Sequence, residues 1–193
     1  MYYSNVRMTM AIEKYTTKCF VLESYPQGEN DRTYKLFTRD FGLITVHAKS
    51  IRKLESKLRA HVLPRTLSLV TIVHGREVWR LVGAQELEKT SDTIHEITTL
   101  LKRFIRGEEP HATLYDRLIE FLTLAPMYDV QKARLLLYFI ILVELGYADA
   151  KKIGVKNHKE YESWSIDDLY THLLLAHGEV RKHIQQVLQE IHL

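Results

Sequence analysis

The sequence has only one cysteine, Cys19, together with eight glycines and four prolines in 193 residues. A single cysteine excludes an intramolecular disulfide and a cysteine metal cluster. The longest apolar run, residues 135–143, ends at Glu144 after nine residues, whereas a membrane-spanning helix needs about 20. The N-terminus also lacks the charged and then apolar pattern of a signal peptide. We therefore expect a soluble, cytoplasmic protein.

Motifs for catalysis and metal binding are also missing. The glycines are scattered, so there is no Gly-rich phosphate loop, and no His-Glu-x-x-His motif occurs. His172, His177 and His183 are five and six residues apart, whereas neighbours on one helix face are three or four apart. We predict no metal site, no cofactor and no enzymatic activity, with an enzyme using His172 or His177 as the open alternative. Cys19 lies in an apolar segment and is expected to be a buried structural thiol.

Charge is distributed unevenly along the chain. Residues 1–85 carry a net charge of +7, whereas residues 86–193 carry −4. The segment 49–65 contains six basic residues and one acid, Glu55. These basic residues are Lys49, Arg52, Lys53, Lys57, Arg59 and Arg65. The asymmetry predicts two modules, 1–85 and 86–193, of which the first contacts an anionic polymer.

The first module is typical of a β-structure. Apolar segments and period-two alternation predict five strands, at Lys18–Ser24, Thr33–Arg39, Leu43–Ala48, Leu67–Val73 and Glu77–Val82. Between the third and fourth strands, Leu54, Leu58 and Val62 are at helical spacing and Pro64 follows, which predicts a helix over Lys53–Val62. This order of elements is that of an OB-fold, a partly open barrel that binds single strands.

The second module is typical of helices. From about Thr90 onward, apolar residues recur with a period of 3.6. Helices are therefore predicted over Ser91–Arg106, from Asp129 to Gly146 and over Glu179–Ile191. Two further helices are predicted where Thr113 with Asp116, and Ser165 with Asp168, form capping patterns. The helix before Gly146 is apolar nearly all round and should lie at the centre of a bundle. We predict an α+β fold, with a five-stranded OB-fold barrel over 1–85 and an all-α helical bundle over 86–193. Residues 1–9 are interpreted as an extension.

Two predicted strands carry the elements of a single-strand binding site. Lys35, Phe37 and Arg39 share one face of the second strand, and Thr45, His47 and Lys49 share a face of the third. Cations replace counterions along phosphates, and a flat aromatic ring stacks on bases. The alternative, which we favour for Phe37 taken by itself, is that Phe37 packs beneath the helical module and the charges are merely solvated. For the 49–65 cluster we favour phosphate contact, because six neighbouring cations repel one another.

Several segments together resemble a known family. They are Gly28–Arg32, Leu36–Leu43, Ala48–Lys53 and Leu142–Tyr147. In order and spacing they resemble the N-terminal domain of the bacterial recombination mediator family RecO, which has a Gly-Glu-x-Asp turn, a Leu-x-Thr-x-x-x-Gly hairpin and an Ala-Lys-Gly-x-Arg-Lys segment. The segment Leu142–Tyr147 is similar to the Leu-Leu-x-x-Leu-Gly-Tyr motif of the family's helical domain. Ser50 replaces the family's glycine, so a position that favours positive φ is expected to be strained or shaped differently.

The resemblance implies a DNA repair and recombination role. Members bind single- and double-stranded DNA, anneal complementary strands, contact the C-terminal tail of the single-strand binding protein, and work with RecR to load RecA. It implies a nucleoid-associated protein without zinc, because residues 148–154 lack the cysteines of the family's zinc module. The predicted DNA-binding residues are Lys35, Phe37, Arg39, Lys49, Arg52, Lys53, Lys57, Arg59 and Arg65.

Two other functions stay open at this point. The alternatives are an RNA-binding OB-fold factor and a protein-interaction barrel with a charged surface that binds no nucleic acid. We further expect the helical module to bind the tail of the single-strand binding protein, which is acidic and has an apolar end. The expected binding site is near Leu135–Leu145 and the lysines of the loop at residues 151–159.

Overall fold

Five strands form a closed barrel. A computed structural model describes residues 13–75 and 78–191, and in these ranges the strands are β1 (Lys14–Gln27), β2 (Asp31–Thr38), β3 (Gly42–Ala48), β4 (Thr66–His74) and β5 (Trp79–Glu88). Their order around the barrel is β1-β2-β3-β5-β4, and only the β3–β5 pair is parallel. The predicted α+β class and OB-fold barrel are confirmed. Glu77, predicted at the start of the fifth strand, lies outside the described residues.

Strand β1 is buried on both of its faces. Cys19 and Val21 lie in the barrel core, whereas Phe20 and Leu22 belong to a second apolar core that the helices form. Because side chains alternate along a strand, four consecutive buried residues require cover on both sides. Cys19 is fully buried and its burial raises the pKa of the thiol, which confirms the prediction of a buried structural cysteine.

The predicted helix between the third and fourth strands is wrong. Residues 49–65 form a series of turns, with hydrogen bonds from the amides of Lys53, Ser56 and His61 to carbonyls three residues earlier. Only Val62 of the three spaced apolar residues is fully packed, and Leu54 is 93% exposed. Apolar residues at helical spacing stabilise a helix of ten residues only when another part of the protein covers the apolar stripe that they form.

The helical half contains six α-helices in the described residues: α1 (Asp92–Phe104), α2 (Ala112–Leu124), α3 (Val130–Glu144), α4 (His158–Ser163), α5 (Ile166–Leu175) and α6 (His177–Glu190). Ser91 and Asp129 cap α1 and α3, and Ser165 forms the predicted capping box with Asp168. The predicted cap at Thr113 is wrong, because α2 already begins at Ala112. No helix in the described part is both long and apolar enough to cross a membrane.

A buried ion pair joins α2 to the central helix α3. Arg117 Nε lies 2.8 Å from Glu144 Oε1, as a close charge contact rather than an aligned hydrogen bond. The Arg117 guanidinium donates to the carbonyls of Tyr161 and Trp164, at 2.7 and 3.2 Å, and covers the ring of Tyr161. Burial raises the pKa of Glu144, although the charge of Arg117 opposes this shift. Removing one partner would leave the other charge unpaired in the core.

The barrel and the helices share one apolar interface. Phe20 and Phe37 contact Tyr115 of α2, with ring centroids 5.6 and 5.7 Å apart. At its edge Arg39 makes two 2.8 Å hydrogen bonds to the carboxylate of Asp116. Strand β5 ends at Glu88 and α1 begins at Asp92. The division into domains at 85/86 stays a prediction.

A glycine lies where the backbones of the two halves approach each other closely. Gly42 has a φ of +63°, and a Cβ there would lie 2.1 Å from the carbonyl oxygen of Glu109. We expect Gly42→Ala to lower the free energy of unfolding by about 2 kcal/mol or more, because it adds a backbone collision to the left-handed strain. Gly28→Ala is the matched control, since Gly28 has a φ of +62° and open space around it. If urea unfolding shows that both variants lose the same free energy of unfolding, the close approach at Gly42 is contradicted.

Candidate nucleic-acid interface

The basic loop, residues 49–65, is held to the barrel at both ends. Ile51 and Val62 are buried in the barrel core. The amide of Ser50 donates to Asp31 Oδ1 at 2.7 Å, and the amide of Arg52 donates to the Asn30 carbonyl at 2.9 Å. The loop is therefore fixed in place by contacts that leave its cationic side chains available.

The cations of the basic loop are exposed and lack acidic partners. All six are exposed, and within the described ranges none forms an ion pair with a carboxylate. Arg52 donates from Nη1 to the Gly28 carbonyl at 3.1 Å, which orients its guanidinium without neutralising it. Unpaired like charges on one loop create a positive potential that attracts an anionic polymer.

Two residues of the basic loop have left-handed backbone conformations. Ser50 has a φ of +57° and Arg65 a φ of +66°, and they are the only non-glycine residues with positive φ in the described chain. The expected strain at Ser50 is therefore present. Such conformations cost about 1–2 kcal/mol for an L-residue and persist only where surrounding contacts hold them.

Two predicted site residues on β2 and just after it have carboxylate partners. Lys35 lies 3.0 Å from Glu23, which also pairs with Lys102 of α1 at 2.7 Å. Arg39 holds Asp116, and that contact raises the pKa of its guanidinium further. Both side chains remain more than 40% exposed. Their charges are shared with the interface between the halves, so an anionic ligand at either side chain would compete with these carboxylates.

Phe37 is not a stacking residue. It is fully buried against Tyr115 beneath the helices, which corrects the prediction that placed it at the nucleic-acid surface. The physical reason is that the outer face of β2 is covered by the helical half at this point. The partly exposed aromatic residues Tyr15 and Phe41 lie instead on the barrel, where they pack against each other and against the buried Trp79 with ring centroids 4.9–5.8 Å apart. Sequence reasoning interpreted Phe41 only as part of a turn.

Two histidines of the helical half, His172 and His183, have partners within the bundle. The ring of His172 lies 4.1 Å from that of Trp164, and His183 Nε2 accepts a hydrogen bond from the Asp149 amide at 3.3 Å. In residues 13–75 and 78–191 no three His, Cys, Asp or Glu side chains are grouped as metal ligands would be.

Comparison with known proteins shows which protein family the barrel is similar to. A family model described as "Recombination protein O N terminal" matches residues 10–88, which include all five strands. The barrel is therefore similar to the RecO N-terminal domain. The resemblance predicted from the turn, hairpin and basic segments is thereby confirmed.

Several curated relatives carry the name DNA repair protein RecO. A protein of Dehalococcoides mccartyi strain CBDB1 is 35% identical over 38% of this chain and 29% of its own length. A protein of Thermodesulfovibrio yellowstonii is 32% identical over 47% of this chain and 34% of its own length. A protein of Aromatoleum aromaticum is 29% identical over 66% of this chain and 56% of its own length. The chain thus aligns with less than two thirds of each of these RecO proteins.

The ion pairs around Glu23 are expected to make the stability of the protein depend on pH. Burial alone would raise the pKa of Glu23, but hydrogen bonds from Lys102, Tyr25 and Lys35 outweigh it and lower the pKa to about 2. A lowered pKa contributes stability above the unfolded value of about 4.5, and this contribution is lost as the pH falls toward 2. We expect Glu23→Gln to lower the free energy of unfolding by about 1–2 kcal/mol at pH 7.

When urea unfolding is repeated from pH 6 to pH 2.5, the difference in free energy of unfolding between the wild type and Glu23→Gln should become smaller. Glu55→Gln is the control, because Glu55 lies exposed on the basic loop without an ion-pair partner among the described residues. A difference that stays constant over this pH range would disprove the role of the Glu23 charge.

Proposed function

We propose that the protein is a DNA-binding recombination mediator in DNA repair. It holds single- and double-stranded DNA, anneals complementary strands, and helps load a recombinase onto DNA coated with single-strand binding protein. Its partners in this role are the C-terminal tail of that protein, RecR and, indirectly, RecA. The relationship of its barrel to RecO and the name of its relatives, DNA repair protein, support the role.

One observation carries the proposal: an OB-fold barrel presents a fixed loop with six unpaired cations. The loop neutralises phosphates, so two strands can lie side by side without mutual repulsion. The proposed mechanism is electrostatic and includes no covalent step. The core of the site is Lys49, Arg52, Lys53, Lys57, Arg59 and Arg65, with Lys35 and Arg39 at its margin.

Salt-dependent binding tests the site. Fluorescence anisotropy of a labelled single-stranded oligonucleotide should give a log–log slope near −3.5 between about 50 and 200 mM salt, for about five neutralised phosphates at about 0.7 each. Arg52→Glu/Lys53→Glu should remove most of this binding. Lys151→Glu/Lys152→Glu is the matched control, since it reverses two adjacent exposed lysines of the helical half.

Absence of binding by the wild type at low salt would overturn the DNA role in favour of a protein-interaction barrel. Equal binding by Arg52→Glu/Lys53→Glu and the control would overturn the assignment of the basic loop. An RNA-binding factor would prefer an RNA oligonucleotide of the same sequence and would fail to accelerate annealing of complementary DNA strands, measured by fluorescence quenching.

A groove between α3 and α6 suits the tail of the single-strand binding protein. It has a volume of about 350 Å³, with Leu135, Tyr138, Ile184 and Leu188 among its apolar lining. Arg134 and Arg181 lie at the same groove, and Arg134 pairs with Glu96. An acidic peptide with an apolar end would place its end among the leucines and a carboxylate on Arg181. The lysines of residues 151–159, expected to contribute, do not line this groove.

Peptide binding tests the groove. We expect Arg181→Glu to weaken binding of a synthetic acidic peptide with an apolar C-terminus by about tenfold, because one charge-assisted hydrogen bond to a carboxylate is lost. Lys182→Glu is the control: it has the same charge change on the next residue of α6, outside the groove. Isothermal calorimetry with equal affinities for both variants would place the tail elsewhere.

A further inference from the structure

We infer that the DNA path continues from the basic loop across the barrel into a cleft against helix α1, where Arg65, Lys102 and Arg103 contact the phosphates of a single strand. This inference rests on the proposed function and deepens it. The site residues predicted from the sequence all belong to the barrel module, whereas two of these three cations belong to the helical half.

The cleft between the barrel and α1 is large enough for part of a nucleic-acid strand. It has a volume of about 720 Å³, within the range of about 300–1,000 Å³ that is common for binding sites. Leu22 and Pro64 supply apolar lining, and Ser24, Thr98 and Thr99 supply hydroxyl groups. An apolar wall with polar and cationic neighbours suits a nucleotide, which has an apolar base face, a sugar and a phosphate.

Arg65 makes the cleft continuous with the basic loop, because it belongs to both. Its amide donates to the Val21 carbonyl at 2.7 Å, and its carbonyl accepts a hydrogen bond from Thr90 Oγ1 at 3.0 Å. The backbone of Arg65 is therefore fixed between β1 and the connection to α1. Its exposed side chain lies where the loop reaches the helical half.

The charges around the cleft favour an anionic ligand. Arg65, Lys102 and Arg103 are cationic, His95 adds a titratable group, and Glu23 is the acid among the lining residues. Glu23 is held by Lys102 at 2.7 Å and by Lys35, which lies outside the cleft, at 3.0 Å. With three cations and this one acid, the lining keeps a net positive charge.

The end of α1 does not repel a phosphate as a bare helix C-terminus would. Arg106 donates from Nη1 to the carbonyls of Lys102 and Ile105, at 3.0 and 2.9 Å. These contacts place a cation on the negative end of the helix dipole. The guanidinium of Arg103 lies 5.6 Å from the ring of Phe104, which supports it at the barrel side of α1.

The salt dependence of DNA binding tests the cleft. Lys102→Gln/Arg103→Gln should lower the magnitude of the log–log slope by about 1.4, at about 0.7 per lost phosphate contact on a single strand. Arg103→Gln alone, which leaves the Lys102–Glu23 pair intact, should lower it by about 0.7. Lys151→Gln/Lys152→Gln removes the same charge elsewhere and should leave the slope unchanged.

Site-specific crosslinking gives a second readout that does not depend on charge. Because Cys19, the only cysteine, is fully buried, a photoreactive maleimide labels a cysteine introduced at Thr99 selectively. Thr123→Cys is the matched control: Thr123 is also an exposed helical threonine that donates to the carbonyl four residues earlier. A bound single-stranded oligonucleotide should crosslink several-fold more at position 99 than at position 123.

The outcomes separate this inference from the proposed function. If the wild type binds no DNA at low salt, the proposed function and the cleft fail together. If Arg52→Glu/Lys53→Glu weakens binding while the α1 variants keep the wild-type slope, the proposed function stands and the cleft is overturned. Equal crosslinking at positions 99 and 123 would overturn the cleft in the same way.

Discussion

The structure depends on covering the outer face of β1 and β2 with the helical half. Phe20, Leu22 and Phe37 point away from the barrel core and are fully or almost fully buried. Burial of such side chains stabilises a fold by about 1.5–3 kcal/mol each, more than a half-exposed ion pair contributes. Tyr115 of α2 contacts two of them, so the position of α2 follows from this apolar contact.

That contact also determines which cations are available to a ligand. Arg39 and Lys35 lie beside the junction and meet Asp116 and Glu23. The cations of the basic loop form no ion pair with those acids and keep their charge unpaired in the described structure. The proposed site is therefore the part of the positive surface that the junction does not neutralise, together with the cleft where the surface crosses to α1.

Much of the fold is predictable because it follows from local rules. Strand alternation, the caps at Ser91 and Asp129, and the apolar character of α3 each depend on residues close in sequence. The helix predicted over residues 53–62 failed because helical spacing says nothing about whether a surface exists to cover Leu54. The burial of β1 on both faces was indicated by four consecutive apolar residues, 19–22, which is the pattern of a strand covered on two sides.

The sequence by itself determined the class of the fold and the excess of positive charge in the barrel, because each depends on residue type and near neighbours. The left-handed position at Ser50 was implied by the resemblance to RecO, whose glycine Ser50 replaces. Only the tertiary structure decided that Phe37 is core and that Arg39 is partly neutralised. Asp116, the partner of Arg39, lies 77 residues away along the chain. Whether a side chain is free to meet a ligand depends on what the packed chain places beside it, and that cannot be determined from a strand's own pattern.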